Sequence, residues 1–321
     1  MISAALICAM ALAVAVSPAD AAPSVKARIK GAALLVSGSP AADVIILRLA
    51  ADDPTVLEVD VNDDHTADFR FDRTRFSWIE VSGAGGDDTI RIDESNGAFA
   101  DEHLTGLDGG AGNDILVGGN GSQALFGRSG HDIIDGGPDA DAIDAGAGDD
   151  LVTWKPGGFS DFVWGGLGID TLVYRGGSAD EHVVIDHAGS GLVRLTRNVG
   201  NVAMHLDGLE KIELSTLGGA NTVTVNDLAG TGVVEVAVEL AAGGGDGQTD
   251  TVVVNASAGD DIVTVTDVGR GVDVSRGGSA TVRVVGAEAL LDVLVVNGLS
   301  GDDRIEVAAG AEVLIQVVAN P

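Results

Sequence analysis

The 321-residue chain carries 47 glycines but only seven Phe, three Trp and one Tyr, too few aromatics for the core of a large globular enzyme. Its 49 acidic against 18 basic residues give a formal charge of -31, which repels phosphate backbones and anionic lipid and so argues against nucleic acid and membrane surfaces as partners. At 45% hydrophobic, mostly aliphatic, the chain still buries enough apolar surface to fold, and a thin aliphatic core is expected in place of an acidic disordered tail.

Residues 1–21, MISAALICAMALAVAVSPADA, join an apolar run from Ala4 to Val16 to small residues at Ala19 and Ala21, the shape of a secretory signal peptide with an A-x-A cleavage site. The run is too short to span a bilayer. Cys8, the single cysteine, leaves with it, so the exported chain has no disulfide to hold it together. Residues 22–82 are expected to form a short N-terminal β-domain. Within it TVLEVDV and ADFRFDR alternate apolar and polar residues as the two strands of a hairpin do. Asp60, Asn62, Asp64, Thr66 and Asp68 fall on alternate positions, as in an EF-type calcium loop. His65 stands where that loop needs glycine and Phe71 where it needs a bidentate glutamate, so a hairpin turn is the preferred reading.

From Gly109 the chain divides into nines: GGAGNDILV, GGNGSQALF, GRSGHDIID, GGPDADAID and AGAGDDLVT, then PGGFSDFVW and GGLGIDTLV after the inserted Trp154 and Lys155. The eighth position is apolar in every unit. The sixth is Asp114, Gln123, Asp132, Asp141, Asp150, Asp161 and Asp170. Glycines recur at the second and fourth positions, among them Gly110, Gly112, Gly130, Gly146, Gly148, Gly166 and Gly168, and permit a tight positive-φ turn. The tripeptide that closes each unit is a short strand with its apolar member turned inward.

If two units make one coil, each Asp stacks on the Asp two units away at about 4.7 to 4.9 Å. Two carboxylates at that separation repel by roughly 3 kcal/mol at an effective dielectric near 20. Calcium, bonded to oxygens at about 2.3 to 2.6 Å, bridges ligands so spaced and accepts turn carbonyls as well, whereas magnesium wants shorter bonds and zinc wants His or Cys. The candidate ligands are therefore the six acids together with the seven turn glycines named above, holding several calcium ions. One edge pairs Asp114, Asp132, Asp150 and Asp170. The other pairs Gln123, Asp141 and Asp161, where Gln123 brings no charge and the inserted dipeptide is predicted to disturb the last pair. The first edge is expected to bind better.

A fifteen-residue pattern brackets this block: WIEVSGAGGDDTIRI from Trp78, KIELSTLGGANTVTV from Lys211, TVVVNASAGDDIVTV from Thr251 and VLVVNGLSGDDRIEV from Val293. Each reads as strand, small-residue turn, strand, with turn residues Asp88, Asn221, Asp261 and Asp303. They are degenerate solenoid coils or hairpin units, and weaker metal candidates, because the acid does not recur in adjacent units. The resulting division is a β-domain at 22–82, a calcium-binding β-roll at 83–174 and degenerate solenoid repeats at 175–321.

The nonapeptide pattern, GGxGxDxUx, resembles that of the secreted bacterial calcium-binding proteins of the hemolysin-type (RTX) family. Phrases beyond the nonapeptides, such as TVLEVDVNDDHTADFRFDR, GLEKIEL and NTVTVNDLAGTG, extend the likeness over most of the mature chain. The resemblance implies an all-β fold, a parallel β-roll or β-solenoid, and calcium as the ligand. It implies no reaction. The reading is a secreted module, extracellular or on the cell surface, that folds on binding calcium. A cell-surface or matrix polysaccharide is the further partner it allows.

The alternative is a calcium-dependent polysaccharide lyase or epimerase on a β-helix. The six histidines show no HExxH, and no GxSxG or P-loop is present, so no catalytic residue is assigned. Trp154, Phe159, Phe162, Trp164 and Tyr174 cluster around the insertion and are expected to pack a local bulge of the coil, with a sugar-stacking platform as the second reading.

Overall fold

A computed structural model describes residues 25–240 and 245–321; the expected signal peptide at 1–21 lies outside them. The described residues form two 14-stranded sheets facing each other across one aliphatic core. In the nonapeptide block Leu116, Leu125, Ile134, Ile143, Val152, Val163 and Leu172, the eighth residues, are all buried in that core. Alternation within each short strand is what sends them there, since successive side chains point to opposite faces. Leu125 pairs in parallel with Ile143 and Leu116 with Ile134, so two nonapeptides make one coil, the odd strands in one sheet and the even strands in the other.

The insertion does not disturb the register, contrary to the sequence expectation. Ile143 still faces Val163 and Leu151 still faces Thr171. The extra residues lengthen one strand, Leu151–Trp154, and turn Trp154 into the core, where it stacks on Tyr174 with ring centroids 4.7 Å apart. Only these two of the five local aromatics pack inside. Phe159, Phe162 and Trp164 are exposed.

The same two sheets continue on both sides of the block. Ala33–Ser37 pairs in parallel with Trp78–Gly85, and Val44–Ala50 with Thr89–Asp93. Asp53–Val61 and Phe69–Asp72 form the expected antiparallel hairpin at the sheet edge. Lys26–Lys30 closes the other N-terminal edge with a strand bearing Lys26, Arg28 and Lys30, charges that discourage pairing with another chain. Each fifteen-residue segment crosses from one sheet to the other at its turn, so these segments are coils and not hairpins. Their long spacing has a simple cause. Antiparallel meanders, His182–Gly189 with Leu192–Arg197 and Val202–Asp207, and Ile262–Asp267 with Gly271–Arg276 and Thr281–Val285, each add strands to one sheet before the chain resumes its parallel course.

Candidate metal centre

The sixth-position acids sit at the turn between the sheets, and each spends one oxygen on its neighbour. The backbone N–H of Asp114 donates to Asp132 Oδ1 at 2.7 Å, that of Asp132 to Asp150 Oδ1 at 2.7 Å, and that of Asp150 to Asp170 Oδ1 at 2.9 Å. The ladder extends beyond the periodic block. Asp88 N–H donates to Asp114 Oδ1 and Asp43 N–H to Asp88 Oδ1, both at 2.7 Å, while Asp170 N–H donates to Glu210 Oε2 at 2.8 Å. Asp43, Asp88 and Glu210 were not placed on this edge by the sequence. The 45 residues from Asp43 to Asp88, the 26 from Asp88 to Asp114 and the 40 from Asp170 to Glu210 break the spacing of eighteen or, across the insertion, twenty residues that links the others. On the opposite edge Gln123 N–H donates to Asp141 Oδ1 at 2.8 Å and Asp141 N–H to Asp161 Oδ1 at 2.9 Å.

The second oxygen is the informative one. Oδ2 of Asp88, Asp114, Asp132, Asp150 and Asp170, five consecutive rungs of one edge, is buried without a hydrogen-bond partner, as is Oδ2 of Asp141 and of Asp303. An orphaned carboxylate oxygen in low dielectric is costly unless a cation meets it. The space beside it is kept open by glycine: a Cβ added at Gly127 would overlap both Asp132 Oδ2 and the Ala145 carbonyl oxygen of the next coil. At Gly130, φ is 131°, and a side chain there would strike the Gly112 carbonyl of the coil before. All seven glycines proposed from sequence carry positive φ at the turns, Gly110, Gly112, Gly146, Gly148, Gly166 and Gly168 as well as Gly130. At each of them a side chain would meet a backbone carbonyl of the coil before.

Burial drives the proton affinities upward. Asp88, Asp132 and Asp161 are pushed up to about 7, Asp141 to about 8 and Asp170 to about 6, in each case first by desolvation and against a stabilising backbone hydrogen bond. Neighbouring charges add to it, Asp150 and Asp114 acting on Asp132. Asp114 and Asp150 shift upward for the same first reason.

Other turns of the same solenoid show what satisfies an acid of this kind. Where the sixth residue is Gln123, its Nε2 donates to the carbonyls of Asn120 and Gly121 at 2.9 and 2.6 Å, and its Oε1 accepts from Gly119 N–H at 3.2 Å. Asn221 repeats the device with Gly218 and Gly219. Asp261 receives the Arg276 guanidinium at 3.0 Å; burial opposes its ionisation, but Ser257 and Arg276 outweigh that and hold its carboxyl below the usual range. Glu181 is met by Arg197. Asp43 and Asp292 take a local backbone N–H on Oδ2, from Ser39 and Glu288, both at 2.6 Å. The Asp88 to Asp170 run, like Asp141 and Asp303, has neither amide, guanidinium nor local cap on that oxygen, and it alone repeats this over five consecutive rungs; the donor set is all oxygen. That set fits a hard divalent cation.

The hairpin turn at 61–68 uses its acids differently. Asp60, Asp63 and His65 have ligand atoms within 4.8 Å of one another. Asp60 is already paired with Arg48 at 2.7 Å and Asp63 with Arg91 at 3.3 Å, while Asp64 and Asp68 accept from Thr66 and Val61 N–H.

Residues 107–122 and 117–152 match the model of the RTX calcium-binding nonapeptide repeat, in four copies. Comparison with curated proteins finds no match.

Proposed function

The chain carries RTX calcium-binding nonapeptide repeats, and from that premise we propose that it is a secreted protein whose repeat block is completed outside the cell by several calcium ions, giving a rigid, acidic surface or matrix module. The observation that carries this reading is the contrast between Gln123, whose amide closes its own turn, and the five consecutive acids whose Oδ2 has no donor. Asp88, Asp114, Asp132, Asp150 and Asp170, with turn carbonyls, would hold the ions on one edge; Asp141 and Asp161 would do so on the other. Where the Gln123 amide donates N–H bonds to the Asn120 and Gly121 carbonyls, a calcium ion held by the acids would instead draw carboxylate and carbonyl oxygens together as ligands. Secretion rests on the signal-like residues 1–21 and on a remainder without cysteine. Among the described residues no helix is long and apolar enough to cross a membrane.

The test is a calcium titration of chelator-treated mature protein, followed by circular dichroism. Much of the β signal of residues 100–175 should be lost in chelator and recover at about 0.1 to 1 mM calcium, the range of extracellular modules. Identical spectra and melting with and without calcium would overturn the reading.

The lyase or epimerase alternative needs a basic side chain to hold a sugar carboxylate beside a proton acceptor. In the block, Arg128 is bound to Asp108 at 2.8 Å and Lys155 to Asp135 at 2.6 Å, which leaves that reading little support. Lys155→Ala is expected to leave the calcium response unchanged. Calcium-dependent cleavage of an alginate or pectin-like polymer that disappears in this variant would favour catalysis.

A further inference from the structure

The outward face of the first sheet carries a second periodic pattern. Across the adjacent strands Leu104–Ala111, Gln123–Ser129, Ala142–Ala147, Phe162–Leu167 and Val202–Asp207, the register aligns Asp108 with Phe126, Phe126 with Asp144, Asp144 with Trp164, and Trp164 with Asp207. Acid and aromatic therefore alternate in one row, one strand spacing of about 4.8 Å per step. The row beside it is Gly106, Ala124 and Ala142, ending on Phe162 and His205, whose rings stack 4.8 Å apart. The first two members of this second row, Gly106 and Ala124, lie in an open groove of about 770 Å³ lined also by Trp78, Leu104, Asp108 and Phe126, and the rows continue beyond it to Phe162 and Trp164. Trp78, Phe162 and Trp164 are each more than 40% exposed, although large aromatics on a thin solenoid with an aliphatic core are not needed for its stability.

We propose that this face binds a neutral polysaccharide chain lying across the strands. An aromatic ring offers a flat apolar surface to the C–H face of a sugar, and a carboxylate accepts from its hydroxyls; Asp144, Trp164 and Asp207 supply the two in alternation, with Phe162 beside Trp164, while at the other end of the row Arg128 covers Phe126 and pairs with Asp108. Repetition over five strands suits a ligand with repeating units, whereas a peptide on this face would find no sheet edge to pair with. Charge selects among glycans. Asp144 and Asp207 make no ion pair among the described residues, and the one cation in the groove, Arg128, is held by Asp108 and lies 4.5 Å over the Phe126 ring. With a net charge of -31 behind it, the face repels uronates and sulfated sugars but not neutral hydroxyls. A second copy of the chain docked here would set acid row against acid row.

The proposal rests on the calcium-completed block, whose strands carry the row, so the two are read separately in one sample. Folding is followed by circular dichroism and binding by affinity electrophoresis and calorimetry, in 1 mM calcium. The probes are soluble β-1,3-glucan, β-1,4-glucan and galactomannan, with alginate and polygalacturonate as acidic controls. At least one neutral polymer should bind. Phe162→Ala and Trp164→Ala should each weaken it several-fold, and the pair more than tenfold, with the calcium-induced dichroism unchanged because both side chains are exposed. Three results overturn the proposal while leaving calcium-dependent folding intact: no neutral polymer bound by normally folded protein, binding of the acidic polymers alone, or a self-association abolished by Trp164→Ala. Absence of any calcium-induced folding would instead strike the reading on which it rests.

Discussion

An amide in place of the carboxylate separates Gln123 and Asn221 from the acids at equivalent turns, and the contrast predicts what an amide does elsewhere on the ladder. In Asp132→Asn, Oδ1 can still accept from Asp114 N–H, and the new NH2 can reach the turn carbonyls as Asn221 does. The variant should melt several degrees higher than the parent in chelator, because an uncompensated buried polar oxygen costs about 1 to 3 kcal/mol, and should gain less from calcium. Asp132→Ala should lose on both counts. Equal melting of Asp132→Asn and parent without calcium would refute the substitution of amide for ion. The raised proton affinities give a second test. Unfolded aspartates titrate near 3.9 and these folded ones at about 6 to 8, so between those limits the metal-free native state binds more protons than the unfolded one. Stability of metal-stripped protein should therefore be greatest below about pH 4 as far as these groups decide it, and fall as pH rises to about 8. In saturating calcium the fall should vanish or reverse, since ions compete with protons for the same oxygens. Melting curves at pH 5 and pH 8, with and without calcium, check the sign.

Coils of three kinds follow one another: those whose acids lack a donor, those closed by an amide and those closed by arginine. Hydrogen exchange should separate them. In chelator, amides of the strands from Leu104 to Arg175 should exchange quickly, while those from Lys211 to Val307, closed by Asn221 and Arg276, should stay protected. Loss of protection throughout would show that the degenerate coils depend on the block. The strands themselves were legible in the sequence, because an apolar eighth residue repeated every nine positions fixes both strand and coil length. The ladder was legible only where that period holds. Asp43, Asp88 and Glu210 join it through intervals lengthened by the hairpin at 53–72, by a loop at 94–103 and by the meander at 182–207, and no spacing rule announces a join across an irregular insertion. The reach of Arg276 to Asp261 depends on antiparallel pairing inside the second meander, which the fifteen-residue pattern did not reveal. Trp154 misled for a related reason: an inserted dipeptide reads as a disturbance, whereas the chain absorbed it by lengthening one strand inward.

At the scale of the molecule the two sheets form a single stack in which every acid of the Asp88 to Asp170 run accepts a backbone N–H of the coil before it. A stack stabilised by its nearest neighbours folds cooperatively along its length. Calcium titration followed by dichroism should accordingly be steeper than a single-site curve, and Asp132→Ala, which removes a middle rung, should flatten it more than Asp170→Ala at the end.

The same coil-on-coil ladder sets the mechanical behaviour of the chain. Load applied between residues near 25 and 320 cannot shear the parallel strands all at once; it peels the outermost coil, and each released coil of eighteen residues pays out about 60 Å of extended chain. In calcium, stretching a single molecule should give a sawtooth with that step across the nonapeptide block, and the teeth should shrink when the metal is withdrawn. A chain built this way would yield under tension in increments and recover them on slackening, with a stiffness that follows the calcium around it.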